Sequence, residues 1–307
     1  MKPNYLFIVG MAKSGSTALA NWMVMQGLAD YAVAGNKEPY SYAEVGHRHL
    51  PPPGTKPLLD ASVGYIRNPG ALAKLPEHRT RIVVCLRNPL ERAWSEYKMY
   101  RISALQNEAA GKLWQDFHLP GQNVHAAHEA HFGHSMLKEF FLQHYRRKVA
   151  HMVEKHFDAE SRRIATGTFA TRIEYEMAFF MSNQEYPFLS CLGSSFCFRG
   201  IKILLKKYQP QDVVLLSLPM LNEPSHRARF VERLIGTAGE YPPVPHQFSS
   251  KGLDCEEDEP DFHGAEWQQL RRLFSHDLTR LKILLDEQAV DQSLMDWQAL
   301  SRHMNLG

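Results

Sequence analysis

The sequence predicts a three-layer α/β fold, a mainly parallel sheet flanked by helices, with a helical insertion. Residues 5–28 and 81–100 each read as strand, loop, helix, and residues 201–285 return to regular helix and strand periodicity. Between them, about 101–197, the pattern is helical and irregular, with no further strand run. The chain therefore reads as one domain over 1–307, its core in about 1–100 and 198–307 and its insertion in about 101–197. No internal repeat is visible.

Length and composition narrow the classes. A chain of 307 residues can bury a sizeable core, and 44% hydrophobic residues is a globular composition. A formal charge of +2, from 35 basic and 33 acidic residues, is too balanced for a dedicated nucleic-acid binder. Cys85, Cys191, Cys197 and Cys255 lack zinc-like spacing. Cys85 falls in a core strand run, and Cys191 and Cys197 read as reduced thiols, although an oxidising compartment would permit a pair. Nothing approaches the roughly 20 apolar residues of a membrane span, and the N-terminal apolar run is too short for a signal peptide. The expectation is a cytoplasmic protein.

The first strand-loop-helix is YLFIVGMAKSGSTAL. Tyr5 to Val9 is a buried-strand run, Gly10 opens a tight loop, and the helix begins at Ser16. Amides in such a loop and in the first helical turn have no intrahelical acceptor, and the helix dipole adds partial positive charge. Gly10, four residues, Gly15, Ser16 and Thr17 form nearly a phosphate-binding P-loop, so the fold is expected to be of P-loop type. The nucleotide-hydrolysing version places Lys directly after the second Gly. Here Ser16 stands there, and Lys13 lies inside the loop.

The second unit is RIVVCLRNPLERAWSEYKMY. Arg81 to Leu86 is a β-branched apolar run, Asn88-Pro89 breaks it, and helical spacing follows from Leu90. A magnesium-dependent enzyme would end such a strand in Asp. This one ends in Arg87, with Ser95 two turns into the following helix. A guanidinium fork and a hydroxyl make a second phosphate clamp. Two anion sites without a magnesium carboxylate suit a nucleotide with a 5′ diphosphate-like end and a separate phosphate on its ribose.

These motifs resemble those of the sulfotransferases that use 3′-phosphoadenosine 5′-phosphosulfate (PAPS). GMAKSGSTAL is similar to that family's 5′-phosphosulfate loop, and LRNPLERAWSEY to its 3′-phosphate strand-loop-helix. Asn36-Lys37-Glu38-Pro39-Tyr40 resembles a segment whose Glu is the base in the heparan-sulfate and carbohydrate branch. Ser250-Lys251-Gly252 resembles a loop that closes over the donor. The likeness covers most of 5–100 and 245–285. It implies transfer of the sulfuryl group of PAPS to an acceptor hydroxyl or amine, leaving PAP, without a metal. Lys13 and Glu38 would be catalytic. Lys13, Ser14, Gly15, Ser16, Thr17, Ala18, Arg87, Ser95, Lys251 and Gly252 would hold the nucleotide. Ala61 stands where the heparan-sulfate 3-O branch has a catalytic Lys.

The remaining segments leave choices open. His47 and His49 are alternative bases, as in the small-molecule branch, which would favour a lipid or natural-product alcohol over a carbohydrate acceptor. Pro51-Pro52-Pro53-Gly54 reads as a stiff connector. His118, His125, His128, His131 and His134 lack the Cys, Asp or Glu that would complete a metal site. Leu137 to His156 reads as an amphipathic helix with Arg146, Arg147 and Lys148 on it, and Phe179 to Phe198 as a wall of the acceptor pocket. The acidic run Glu256-Glu257-Asp258-Glu259 reads as a solvated loop. Two other classes fit parts of the pattern: a P-loop kinase, which would need magnesium and the missing lysine, and a non-catalytic nucleotide-binding protein.

Overall fold

The structure is a computed structural model; it describes residues 2–42, 50–105, 147–183, 185–187, 189–245 and 255–304. Its chain divides into two compact units. One comprises Met1–Arg92, Phe196–Gln247 and Asp261–Gly307; the other comprises Ala93–Ser195 and Phe248–Pro260.

The first unit holds a five-stranded sheet in which every pairing is parallel: β1 (Tyr5–Gly10), β2 (Asp30–Tyr31), β3 (Leu58–Asp60), β4 (Thr80–Cys85) and β5 (Val213–Leu216). The order is β2-β3-β1-β4-β5. This bears out the expected α/β class with a parallel central sheet. The first strand is therefore central, in register with β3 on one side (Phe7 opposite Asp60) and β4 on the other (Phe7 opposite Ile82). The chain leaves β1 toward β2 and β3, and leaves β4 toward β5. The direction of winding thus reverses between β1 and β4, and in such sheets the crevice at the carboxyl ends of those two strands is where ligands bind.

Burial on both faces explains the apolar runs. Leu6, Ile8, Val83, Cys85, Val214 and Leu216 join one cluster with Leu19, Trp22 and Met23 of helix α1 (Ser16–Met25) and Phe230 and Leu234 of helix Pro224–Ile235. The alternate residues Phe7, Val9, Ile82, Val84, Val213 and Leu215 are also fully buried. Side chains alternate across a strand, so both faces are covered. Gly200, in helix Phe198–Lys207, marks a close approach: a Cβ there would lie 2.4 Å from the Ile66 carbonyl oxygen.

In the second unit, Trp94 and Tyr97 pack their rings against Phe169, each with centroids 5.2 Å apart. A buried charge cluster fixes the turn of chain after helix Phe169–Asn183. Arg172 donates to Glu160 and, at 2.7 Å, to Glu176, while Glu176 accepts from Ser190 Oγ and from the amides of Cys191 and Leu192. A buried carboxylate with this many donors is tolerated because every lone pair lost from water is replaced. Cys191 and Cys197 are both buried free thiols.

The acidic run departs from the solvated-loop expectation most clearly at Glu257. Glu257 accepts from the Phe169 amide at 2.9 Å and from the Tyr97 hydroxyl at 2.9 Å. It serves as a cap for the N-terminus of helix Phe169–Asn183, a position where an acid is favoured by unpaired amides and by the dipole. Among the described residues, no helix is long and apolar enough to cross a membrane.

Candidate active site

The loop after β1 is shaped by backbone conformation. The Met11 amide donates to the Cys85 carbonyl at 2.8 Å, which carries the β1–β4 ladder one step past the strand. The chain then turns through Lys13 (φ 64) and Gly15 (φ 83), both left-handed. The left-handed conformation favours glycine at position 15, and a Cβ there would also push on the end of the Leu218 side chain, 2.3 Å from its Cδ2. Helix α1 starts at Ser16 with no side-chain cap. Its first intrahelical bond comes from the Leu19 amide to the Gly15 carbonyl, so the amides of Ser16, Thr17 and Ala18 precede the helical ladder.

Ser14 lies in the same loop. Its hydroxyl is buried without a hydrogen-bond partner among the described residues. An orphaned buried donor next to uncapped amides fits a phosphate or sulfate oxygen, and a polar atom left so in the folded chain otherwise costs about 1–3 kcal/mol.

The loop after β4 meets this one. Arg87 Nη1 donates to the Lys13 carbonyl at 3.3 Å, and Arg92 Nη1 donates to the Ala12 carbonyl at 3.4 Å. Asn88 explains the break that the sequence signals at Asn-Pro. Its Oδ1 accepts from the Leu90 and Glu91 amides, capping helix α2 (Pro89–Ala104), with Pro89 at the first helical position. Its Nδ2 donates to the carbonyls of Ala299, Leu300 and Arg302, the last at 2.7 Å. Ser95 is buried in α2, in the portion belonging to the second compact unit.

Glu38 sits in a different loop, beyond the carboxyl end of β3. The Ala61 amide donates to the Lys37 carbonyl at 2.9 Å, which places this segment against the strand's exit. The Lys37 ammonium is buried and pairs with Glu38 Oε1, while Glu38 Oε2 accepts from the Tyr40 hydroxyl at 3.0 Å. Burial first, then the Glu38 charge, pushes the Tyr40 hydroxyl well above the usual tyrosine range, so it stays a donor.

Beneath Glu38 lies a group that sequence reasoning missed. Asp60 is fully buried, and its two oxygens hold two hydroxyls. Ser62 donates to Oδ1 and accepts the Tyr40 amide; Tyr65 donates to Oδ2 and accepts the Tyr42 amide. Asp60 thereby fixes alternate residues of the segment that carries Glu38. Burial raises its carboxyl to about 6 despite these hydrogen bonds, which pull the other way. The available signal was a lone acid closing the apolar run LLD.

The structure thus brings Lys13 and Arg87 together, and places Glu38 on an adjacent strand exit. Lys251, Gly252, His47, His49 and the histidines of 118–134 lie outside the described residues, as does Arg146. Among the described residues, no three His, Cys, Asp or Glu side chains gather as a metal ion would require.

Fold and geometry together define an α/β protein in which the uncapped α1 amides, the buried Ser14 hydroxyl and Arg87 gather at the reversal point of its sheet. Neither a family model nor a curated protein matches this sequence. Solved structures do match, among them a sulfotransferase from Alicyclobacillus acidocaldarius, with a TM-score of 0.52 and 18% identity, over 95% of this chain and 98% of that one. The chain has the fold of that sulfotransferase.

Proposed function

We propose that this chain is a PAPS-dependent sulfotransferase acting on an acceptor hydroxyl or amine, with a carbohydrate hydroxyl as first choice. The observation that carries the reading is the cradle: uncapped amides of α1, the orphaned Ser14 hydroxyl, and Arg87 bonded to the loop that holds Lys13. The shared fold supports the same direction.

PAPS, when bound, supplies an activated sulfuryl group on a nucleotide leaving group. The amides of residues 16–18 and the Lys13 ammonium stabilise charge gathering at the loop end, a fixed set of donors, whereas the Ser14 amide already donates to the Met11 carbonyl. The motif likeness assigns Arg87 and Ser95 to the 3′-phosphate, and assigns Lys251 and Gly252, outside the described residues, to the same nucleotide. Glu38 takes the acceptor proton, and its contacts with Lys37 and Tyr40 orient the carboxylate.

Calorimetry in EDTA tests the donor assignment. PAP should bind clearly tighter than adenosine 5′-phosphate, which lacks the 3′-phosphate, and Arg87→Ala should erase most of the difference. A charged hydrogen bond is worth roughly 1.5–3 kcal/mol, or about ten- to a hundredfold. Equal affinity of the intact protein for both nucleotides would overturn the reading.

A further inference from the structure

A carboxylate stands where a phosphate clamp should least tolerate one. Glu91 lies one helical turn after Arg87, and its Oε2 is 3.6 Å from Arg87 Nη2. A phosphate dianion arriving at Arg87 would meet this negative charge. The other oxygen, Oε1, accepts from Arg302 Nη1 at 3.3 Å, so a second guanidinium from the far end of the chain shares the same carboxylate. The Arg302 side chain is 61% exposed and that of Arg87 41%, so both reach solvent beside Glu91.

The backbone that presents Arg302 is fastened independently of its side chain. The Asn88 side-chain Nδ2 donates to the carbonyls of Ala299, Leu300 and Arg302, and its Oδ1 caps the helix that begins the clamp. One residue therefore sets the position of both the Arg87 turn and the Arg302 turn. The short helix before it, Trp297–Leu300, is itself capped by Asp296, which accepts from the Ala299 amide at 2.9 Å. An exposed pair with this geometry contributes little to stability. Its charge still acts on a neighbouring dianion.

We infer that Arg302 is a positioning residue for the nucleotide: it offsets Glu91, so that the clamp at Arg87 presents net positive charge to a phosphate. The inference rests on the reading of Arg87 as a 3′-phosphate ligand. It assigns to the chain's C-terminal segment a part in donor selection that neither the motifs nor the fold likeness carries.

Calorimetry with PAP and with adenosine 5′-phosphate separates the possibilities. Arg302→Ala should weaken PAP about three- to tenfold, the scale of one screened charge acting on a dianion, and leave adenosine 5′-phosphate unchanged. The loss should shrink in high salt. Arg302→Lys should retain most of the affinity, and Glu91→Gln combined with Arg302→Ala should restore it, which a general loss of folding would not allow. Unchanged PAP affinity in Arg302→Ala, or a loss that Glu91→Gln fails to rescue, would overturn the inference. If Arg87→Ala also leaves the preference for PAP intact, it is the underlying 3′-phosphate reading that fails.

Discussion

Tyr65 donates its hydroxyl to Asp60 Oδ2 at 2.9 Å and accepts the Tyr42 amide at 3.0 Å on the same oxygen. A backbone amide, a phenol and a buried acid thus form one chain of hydrogen bonds that ends on the accepting carboxylate, with Ser62 repeating the arrangement two residues earlier at Tyr40. The Glu38 loop owes its position to side chains that never reach the solvent.

Asp60 gives a pH signature with a definite sign. Its folded carboxyl is raised from 3.8 to about 6, so the folded state binds the proton more tightly than the unfolded one. The contribution is fully present below pH 3.8 and is lost as pH rises through 6, on the order of 3 kcal/mol at 1.36 kcal/mol per unit. Asn cannot titrate there. The melting temperature of Asp60→Asn, measured against the natural protein, should therefore improve in relative terms between pH 4 and pH 7, whatever the absolute cost of the lost acceptor. A constant gap would show that Asp60 ionises in the fold as it does in water.

Glu38→Gln keeps the size of the side chain and an acceptor for Tyr40 but removes the proton-accepting carboxylate. With [³⁵S]PAPS and an acceptor drawn from a screen of cell-extract fractions, kcat should fall by about 10²–10⁴. PAP affinity should stay within about threefold, since a base acts on the acceptor side. Near-natural turnover would move the role to His47 or His49, and with it the preference from carbohydrate toward a lipid or natural-product alcohol.

Glu257→Gln should destabilise the second unit by about 1 kcal/mol, the usual worth of a helix N-terminal cap with some help from charge. The check is a lower denaturant midpoint at unchanged slope, with faster exchange of the Phe169 amide. Glu259→Gln, two residues on and exposed, is the control and should leave both unchanged.

The central sheet was legible because its signals are local. Apolar runs of five or six residues ended by Gly or Asn-Pro place β1 and β4, and the left-handed turn that Gly15 permits follows from the same short stretch. The contacts that complete the site are not local. Arg302 lies 211 residues from Glu91, and Phe169 lies 88 residues from Glu257, so neither pairing leaves a mark in either neighbourhood. Glu257 looked like one more charge in a polar run, because the amides that need it belong to a distant helix. Asp60 was hidden differently: its partners are two and five residues away, but only the turn after β3 aims both hydroxyls at one carboxylate.

The placement of β1 in the middle of the sheet governs how the chain can be born. Its first neighbour to be synthesised is β3, starting at Leu58, and the second is β4, starting at Thr80. At about 5–20 residues per second, the ribosome leaves this fully apolar strand without one flank for roughly 4–15 s. Val9 and its neighbours are then a sticky segment beyond the exit tunnel, and the contact between the Lys13 loop and Arg87 cannot form until the Arg87 turn has emerged. Yield on expression should therefore respond to chaperone supply and to growth temperature more than the stability of the finished protein would suggest.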